Sequence, residues 1–155
     1  MKLTEKNLMH RREFLASSGV LAASAATAFA HFPAQGKRLK IAIVGTGSRG
    51  SQTWGKSVLE HHGDVVEIVG LCDINRKRVR AAQKLIGTSA PVFFDFDEMI
   101  RQTGPEAVVV TTVDSSHYKY TVRAMELGCD VISEKPLCTD EEQCQTILDT
   151  QKRTG

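Results

Sequence analysis

At 155 residues the chain has the length of one ordinary domain. Aromatics make up only 6% against 41% hydrophobic residues overall, which favours an aliphatic α/β core over an aromatic-rich β-sandwich. The net charge of +2 lies within residues 1–30, and the neutral remainder lacks the basic footprint of a nucleic-acid binder, so no nucleic-acid partner is expected.

The first element is a leader. Arg11-Arg12 precede Glu13-Phe14-Leu15, then a modestly apolar stretch from Ala16 to Phe29 that ends in Ala28-Phe29-Ala30. A positive n-region, a short apolar region and a small-x-small site are the parts of a secretory signal. The paired arginines resemble a twin-arginine signal, with His10 where Ser or Thr is usual. This predicts the twin-arginine export machinery as a partner, cleavage after Ala30 and a periplasmic or extracellular destination. The stretch is too short and too rich in Ala and Ser to span a bilayer, which needs ~20 predominantly apolar residues. Cys72, Cys129, Cys138 and Cys144 form no CxxC pair and His117 is not at zinc-ligand spacing from them, so no metal site is expected. Such cargo folds in a reducing cytosol, which makes free thiols the default, with Cys72 and Cys129 as small core residues.

Residues 31–38 lack periodicity and read as a linker. From Leu39 apolar runs alternate with amphipathic stretches. The runs Leu39 to Val44, Val65 to Cys72, Val92 to Phe94, Ala107 to Thr112 and Asp130 to Ser133 predict five strands. Their continuity suits a parallel sheet covered on both faces. Between them Trp54, Val58 and Leu59 predict one helix face, and Val79, Ala82, Leu85 and Ile86 a second, closed by Gly87. Asp95-x-x-Glu98 and Thr139-x-x-Glu142 have capping-box spacing. Val122, Met125 and Leu127 belong to a helix ended by Gly128, and Cys144, Ile147 and Leu148 share a face of the last one. The predicted class is a Rossmann-like, doubly wound α/β domain over residues 39–155. With five strands the second mononucleotide half of such a fold is unfinished, so the domain is expected to be truncated.

The chemistry begins at Gly45-Thr46-Gly47-Ser48-Arg49-Gly50, a GxGxxG match that follows a strand and opens a helix. Gly45 permits the turn, Gly47 lets the backbone approach a pyrophosphate, and Gly50 lets the helix pack on the strand. The helix N-terminus then presents N–H groups to phosphates. Arg49 either adds a charge there or lies in solvent. Asp73 ends the second strand, where a carboxylate accepts from the adenosine ribose hydroxyls; its other use is to cap the helix from Asn75 onward. A carboxylate repels a 2′-phosphate, so NAD is favoured, while Arg76 and Lys77 leave NADP open. Glu134-Lys135-Pro136 directly follows the fifth strand, where ligands bind in open α/β sheets. Taken alone, those three residues read as a surface ion pair before a proline turn.

Together GTGSRG, Asp73, Thr111-Thr112-Val113-Asp114-Ser115-Ser116-His117 and Glu134-Lys135-Pro136 resemble the glucose–fructose oxidoreductase, inositol dehydrogenase and MocA family (Gfo/Idh/MocA). The resemblance runs from Leu39 to Gly155. It implies that Lys135 is catalytic, lying beside the nicotinamide against the reacting hydroxyl. It also implies that Glu134, Thr112, Val113 and His117 line the cofactor, on a sugar or polyol oxidoreductase that is a homo-oligomer at full length. Relatives commonly carry Pro-Asn where this chain has Val113-Asp114, and Asp114 is expected to cap the helix that follows. The family's second, substrate-binding domain, which usually supplies an Asp and a His base, is not represented in these residues. Two other readings stay open: a glycoside hydrolase that uses a retained NAD transiently, and a non-catalytic nucleotide-binding fragment.

Overall fold

The computed structural model describes residues 36–155, so the leader and most of the linker expected above lie outside the described residues. Five strands form one parallel sheet: β1 (Leu39–Val44), β2 (Val66–Cys72), β3 (Val92–Phe93), β4 (Ala107–Val110) and β5 (Asp130–Ser133). Their order is β3-β2-β1-β4-β5. The strand order therefore reverses beside β1, which is the doubly wound arrangement predicted from the alternation of runs.

Side-chain alternation along the central strands feeds two cores. Ile41 and Ile43 of β1, with Ala107 and Val109 of β4, point to one face; Ala42, Val44, Val108 and Val110 point to the other. The first face is covered by a π-helix (Arg49–Ser57), by α1 (Val58–His62) and by α2 (Arg76–Ile86), through Trp54, Leu59, Val79, Ala82 and Ile86. The second is covered by α3 (Phe96–Thr103) and α4 (His117–Glu126), through Phe96, Met99, Ile100 and Ala124. Strands buried on both sides need no polar alternation, which is why the runs read as continuous.

Local chemistry sets the helix ends. The Asn75 side chain accepts from the backbone N–H groups of Lys77 and Arg78 at 3.1 Å each, so Asn75, not Asp73, caps α2. Gly87 closes α2 in the left-handed region at φ 74°, as its position predicts. Asp95 caps α3 by accepting from Glu98 N at 2.7 Å. The last helix, α5 (Glu141–Thr154), begins one residue later than the Thr139 spacing implies: Asp140 accepts from Gln143 N at 2.9 Å. Thr139 instead donates to the Gln143 side chain from both its backbone N and its hydroxyl, at 3.1 Å.

Two helix faces also differ from the expectation. Leu85 and Leu148 are exposed, and α5 buries Ile147 with Thr150. A 100° step per residue carries Leu148 off the seam and brings Thr150 onto it, and Arg153 braces that face by reaching Glu126 of α4 at 3.2 Å. The buried residues of α4 are His117, Thr121 and Ala124. Asp114 caps nothing: a 3-10 turn (Asp114–Ser116) leads into α4, and the Ser116 hydroxyl bonds back to Val113 O at 2.9 Å.

Candidate functional site

All five parallel strands end on one edge of the sheet, and there a cleft of ≈ 220 Å³ opens between β1, β2 and β4. Gly45, Gly47, Asp73, Thr112 and Val113 line it, with Ile74, Phe94, Phe96, Tyr120 and Cys72. The glycine turn makes its back wall. Gly45 has φ 88°, and a Cβ on it would lie 2.6 Å from the Thr111 and Thr112 backbone. A Cβ on Gly50 would collide with the Gly45 carbonyl oxygen and sit 2.6 Å from Thr111 Oγ1. Both are therefore required by the protein's own packing. Gly47 differs, because a Cβ there would meet no protein atom within 4 Å. Its open face borders the cleft, so the space a side chain would fill is free for a ligand. A pyrophosphate laid against the start of the following helix fits that space.

Asp73 is 5% exposed, and its carboxylate is fastened to the turn. Oδ2 accepts from Thr46 N and Thr46 Oγ1, both at 2.9 Å, and Oδ1 accepts from Asn75 N at 2.8 Å. Thr46 thus serves Asp73 and is not among the residues lining the cleft. A carboxylate offers about four lone-pair sites, so one on Oδ1 stays open for a ribose hydroxyl. Arg78 Nε lies 3.8 Å from Oδ2, and Arg76 stacks 4.3 Å over the Phe94 ring. Next to Asp73, burial and the charges of Asp73 and Asp95 push the Cys72 thiol up to about 12, which keeps it protonated and unreactive. Burial, followed by the neighbouring Cys72, Asp73 and Asp95, likewise raises the phenol of Tyr120, whose ring meets Phe96 edge-on at 5.3 Å.

The turn after β5 faces the opposite side of the glycine turn. Glu134 Oε1 accepts from Trp54 Nε1 and Arg49 Nε, both at 2.9 Å, and from Arg49 Nη2. These donors, led by the indole N–H, hold the Glu134 carboxyl below the ordinary carboxylate range. Arg49 thereby spends its charge on Glu134, while Ser48 is exposed and its side chain makes no cap hydrogen bond. Lys135 is exposed, and its side chain makes no hydrogen bond or ion pair with the described residues. His117 is 1% exposed and does not line the cleft. Its Nδ1 is 2.7 Å from Pro136 O and its Nε2 is 2.9 Å from Thr112 O. The ring joins the loops after β4 and β5 from inside. Among the described residues no group of three His, Cys, Asp or Glu side chains is placed to hold a metal ion.

The profile of the oxidoreductase family with an NAD-binding Rossmann fold matches residues 39–155. The chain belongs to the Gfo/Idh/MocA family. Residues 39–155 are its NAD-binding Rossmann part. The chain is 33% identical to inositol 2-dehydrogenase of Klebsiella pneumoniae strain 342 over 117 residues, 76% of this chain and 34% of that protein. It is 30% identical over 116 residues to inositol 2-dehydrogenase/D-chiro-inositol 3-dehydrogenase of Lactiplantibacillus plantarum, covering 75% of this chain and 33% of that protein. Among solved structures it resembles the WlbA dehydrogenase of Bordetella pertussis in complex with NADH and UDP-GlcNAcA. That match has TM-score 0.71 and 26% identity, over 79% of this chain and 34% of the other. The chain thus spans about a third of the length of the curated relatives it matches.

Several residues at the family's cofactor edge escaped the sequence reading. Tyr120 and Phe96, in amphipathic stretches, and Phe94, at the end of a strand run, line the cleft from positions where an aromatic reads as core. Ile74, 84% exposed directly after Asp73, carried a usable signal: an isolated apolar residue in a polar strand end. Ser51 is buried and bonds Gly47 O from its backbone N at 2.9 Å and its hydroxyl at 2.8 Å, securing the first turn of the π-helix.

Proposed function

We propose that this chain forms the cofactor-binding part of an enzyme that oxidises a secondary hydroxyl of a sugar or polyol. The observation that carries the reading is a coincidence of place. The glycine turn, Asp73 and Lys135 all lie at the carboxyl edge of one parallel sheet, and Lys135 is the one whose side chain stays free. Bound NAD would supply the hydride acceptor. Within this chain, Gly47 admits the pyrophosphate, and the open lone pair of Asp73 takes a ribose hydroxyl. The buried carboxylate disfavours a 2′-phosphate, which supports NAD over NADP. Ile74 and Val113, 84% and 67% exposed at the cleft rim, offer apolar faces to the adenine. Lys135 Nζ would donate to the substrate oxygen and so favour the alkoxide character that develops as the hydroxyl proton passes to a base of the substrate-binding part, with the hydride going to NAD.

The relatives named inositol dehydrogenases support a polyhydroxylated substrate. The twin-arginine-like leader supports export, and with it a cofactor carried out already bound. The test follows absorbance at the nicotinamide band with NAD and a panel of hexoses and inositols, on protein purified from its native source. Substrate-dependent NADH formation that Lys135→Ala abolishes while NADH still binds is the expected result. Turnover that survives Lys135→Ala removes the lysine from the mechanism.

A further inference from the structure

Lys135 is a flexible side chain with no partner among the described residues, yet both of its chain neighbours are anchored. Before it, the Glu134 carboxylate takes three N–H donors from Arg49 and Trp54. After it, the Pro136 carbonyl lies against the buried His117 ring. A lysine carries about 2 kcal/mol of rotamer entropy, so aiming it depends on fixing the backbone from which it projects. An exposed ion pair would contribute little to that. Here the Glu134 side chain is only 13% exposed, and the same oxygen also holds an indole N–H.

We propose that Arg49, Glu134 and Trp54 form a latch that fixes the Lys135 turn against the start of the π-helix, which makes Glu134 a positioning residue. The proposal rests on the reading of Lys135 given above. The glycine turn does not depend on this latch, because Asp73–Thr46 and Thr111–Gly45 hold it from the other side. The latch therefore serves the nicotinamide end of the cofactor, and the adenosine and phosphate end is held without it. Arg49 accordingly acts through Glu134 and is not a free cation for the pyrophosphate.

The test uses Glu134→Gln, Arg49→Gln and the double variant of the full chain, with calorimetric titration of ADP and NADH. Trp54 is the only tryptophan, so its emission reports the latch directly. Each single variant is expected to weaken NADH by roughly fivefold or more, with the double variant no worse than the singles, as for two groups in one network. ADP affinity stays unchanged, and Trp54 emission shifts to the red in Glu134→Gln as the indole loses its carboxylate partner. Equal losses for ADP and NADH, additive effects of the two substitutions, or unshifted emission would each overturn the latch. If Glu134→Gln does not fold, Arg49→Gln carries the comparison of ADP with NADH. A failure of the underlying reading looks different: NADH does not bind the unsubstituted chain, and the emission shift alone then decides the latch.

Discussion

Two glycines three positions apart, Gly47 and Gly50, separate packing from ligand binding, and alanine at each should fail in opposite ways. At Gly50 a Cβ collides with the Gly45 carbonyl oxygen and crowds Thr111 Oγ1, both fixed by the β1–β4 pairing. Neither neighbour is the end of a flexible chain, so the backbone must shift. Overpacking of this kind costs about 1–3 kcal/mol, which lowers Tm by roughly 4–12 °C for a domain of this size. At Gly47 the added methyl meets nothing of the protein, and its φ lies outside the left-handed region. Gly47→Ala should therefore match or exceed the native Tm, because alanine restricts the unfolded chain by about 0.4–1 kcal/mol. The methyl instead occupies the space of the pyrophosphate, and NAD affinity should fall at least tenfold, or about 1.4 kcal/mol. Calorimetric melting and NAD titration of both variants read the two quantities. A Gly47→Ala protein that binds NAD as the native chain does would refute the assignment of that opening to the cofactor. A Gly50→Ala protein of native Tm would refute the packing argument.

Asp73→Ala should weaken NAD by an amount on the order of 1.5–3 kcal/mol in calorimetric titration and erase any preference over NADP; unchanged affinity would leave Asp73 with only its bonds to Thr46 and Asn75. Cys72, with its thiol pushed up to about 12, should resist alkylation at pH 8 in the folded protein and react once unfolded. Because the folded value is raised, this thiol's contribution to stability is complete at neutral pH and is lost as pH rises from 9.0 towards 12. Glu134 shows the opposite sign. Its carboxyl is lowered by Trp54 and Arg49, so the contact persists as pH falls through 4.5 and is lost only below, where Trp54 emission should change. A shift in emission centred at or above 4.5 would contradict that assignment.

Features that depend on short-range order were legible before the structure. The run Ala107 to Val110 shows its burial by being apolar at every position, and GTGSRG shows its turn by following such a run. Asp95 and Gly87 act within three or four residues of themselves, whereas the cap at Asn75 had been open only as an alternative use of Asp73. Features that depend on distant partners were not legible. Glu134 meets Arg49 and Trp54 across 85 and 80 residues, and nothing in Glu-Lys-Pro announces an indole. The His117 ring meets two carbonyls, one of them 19 residues away, and nothing in its own segment announces that partner. The bond from the Thr46 hydroxyl to Asp73 spans 27 residues and likewise has no local signature. The π-helical opening of the first crossover also lacks a local signature, since the residues Arg49–Ser57 differ little in pattern from an ordinary amphipathic turn.

The place of β1 has a consequence for how the chain comes off the ribosome. This strand is made first among the described elements but stands at the centre of the sheet, and its partner on one side, β4, pairs Val110 with Val44. The two residues are 66 positions apart, which at roughly 5–20 residues per second is a wait of about 3–13 s. For that interval Ile41, Ala42, Ile43 and Val44 have at most β2 beside them and an open hydrogen-bonding edge on the other flank. The nascent chain is thus most exposed to wrong pairing before β4 emerges, and a pause in translation placed before Ala107 should cost more soluble protein than the same pause placed after Ser133.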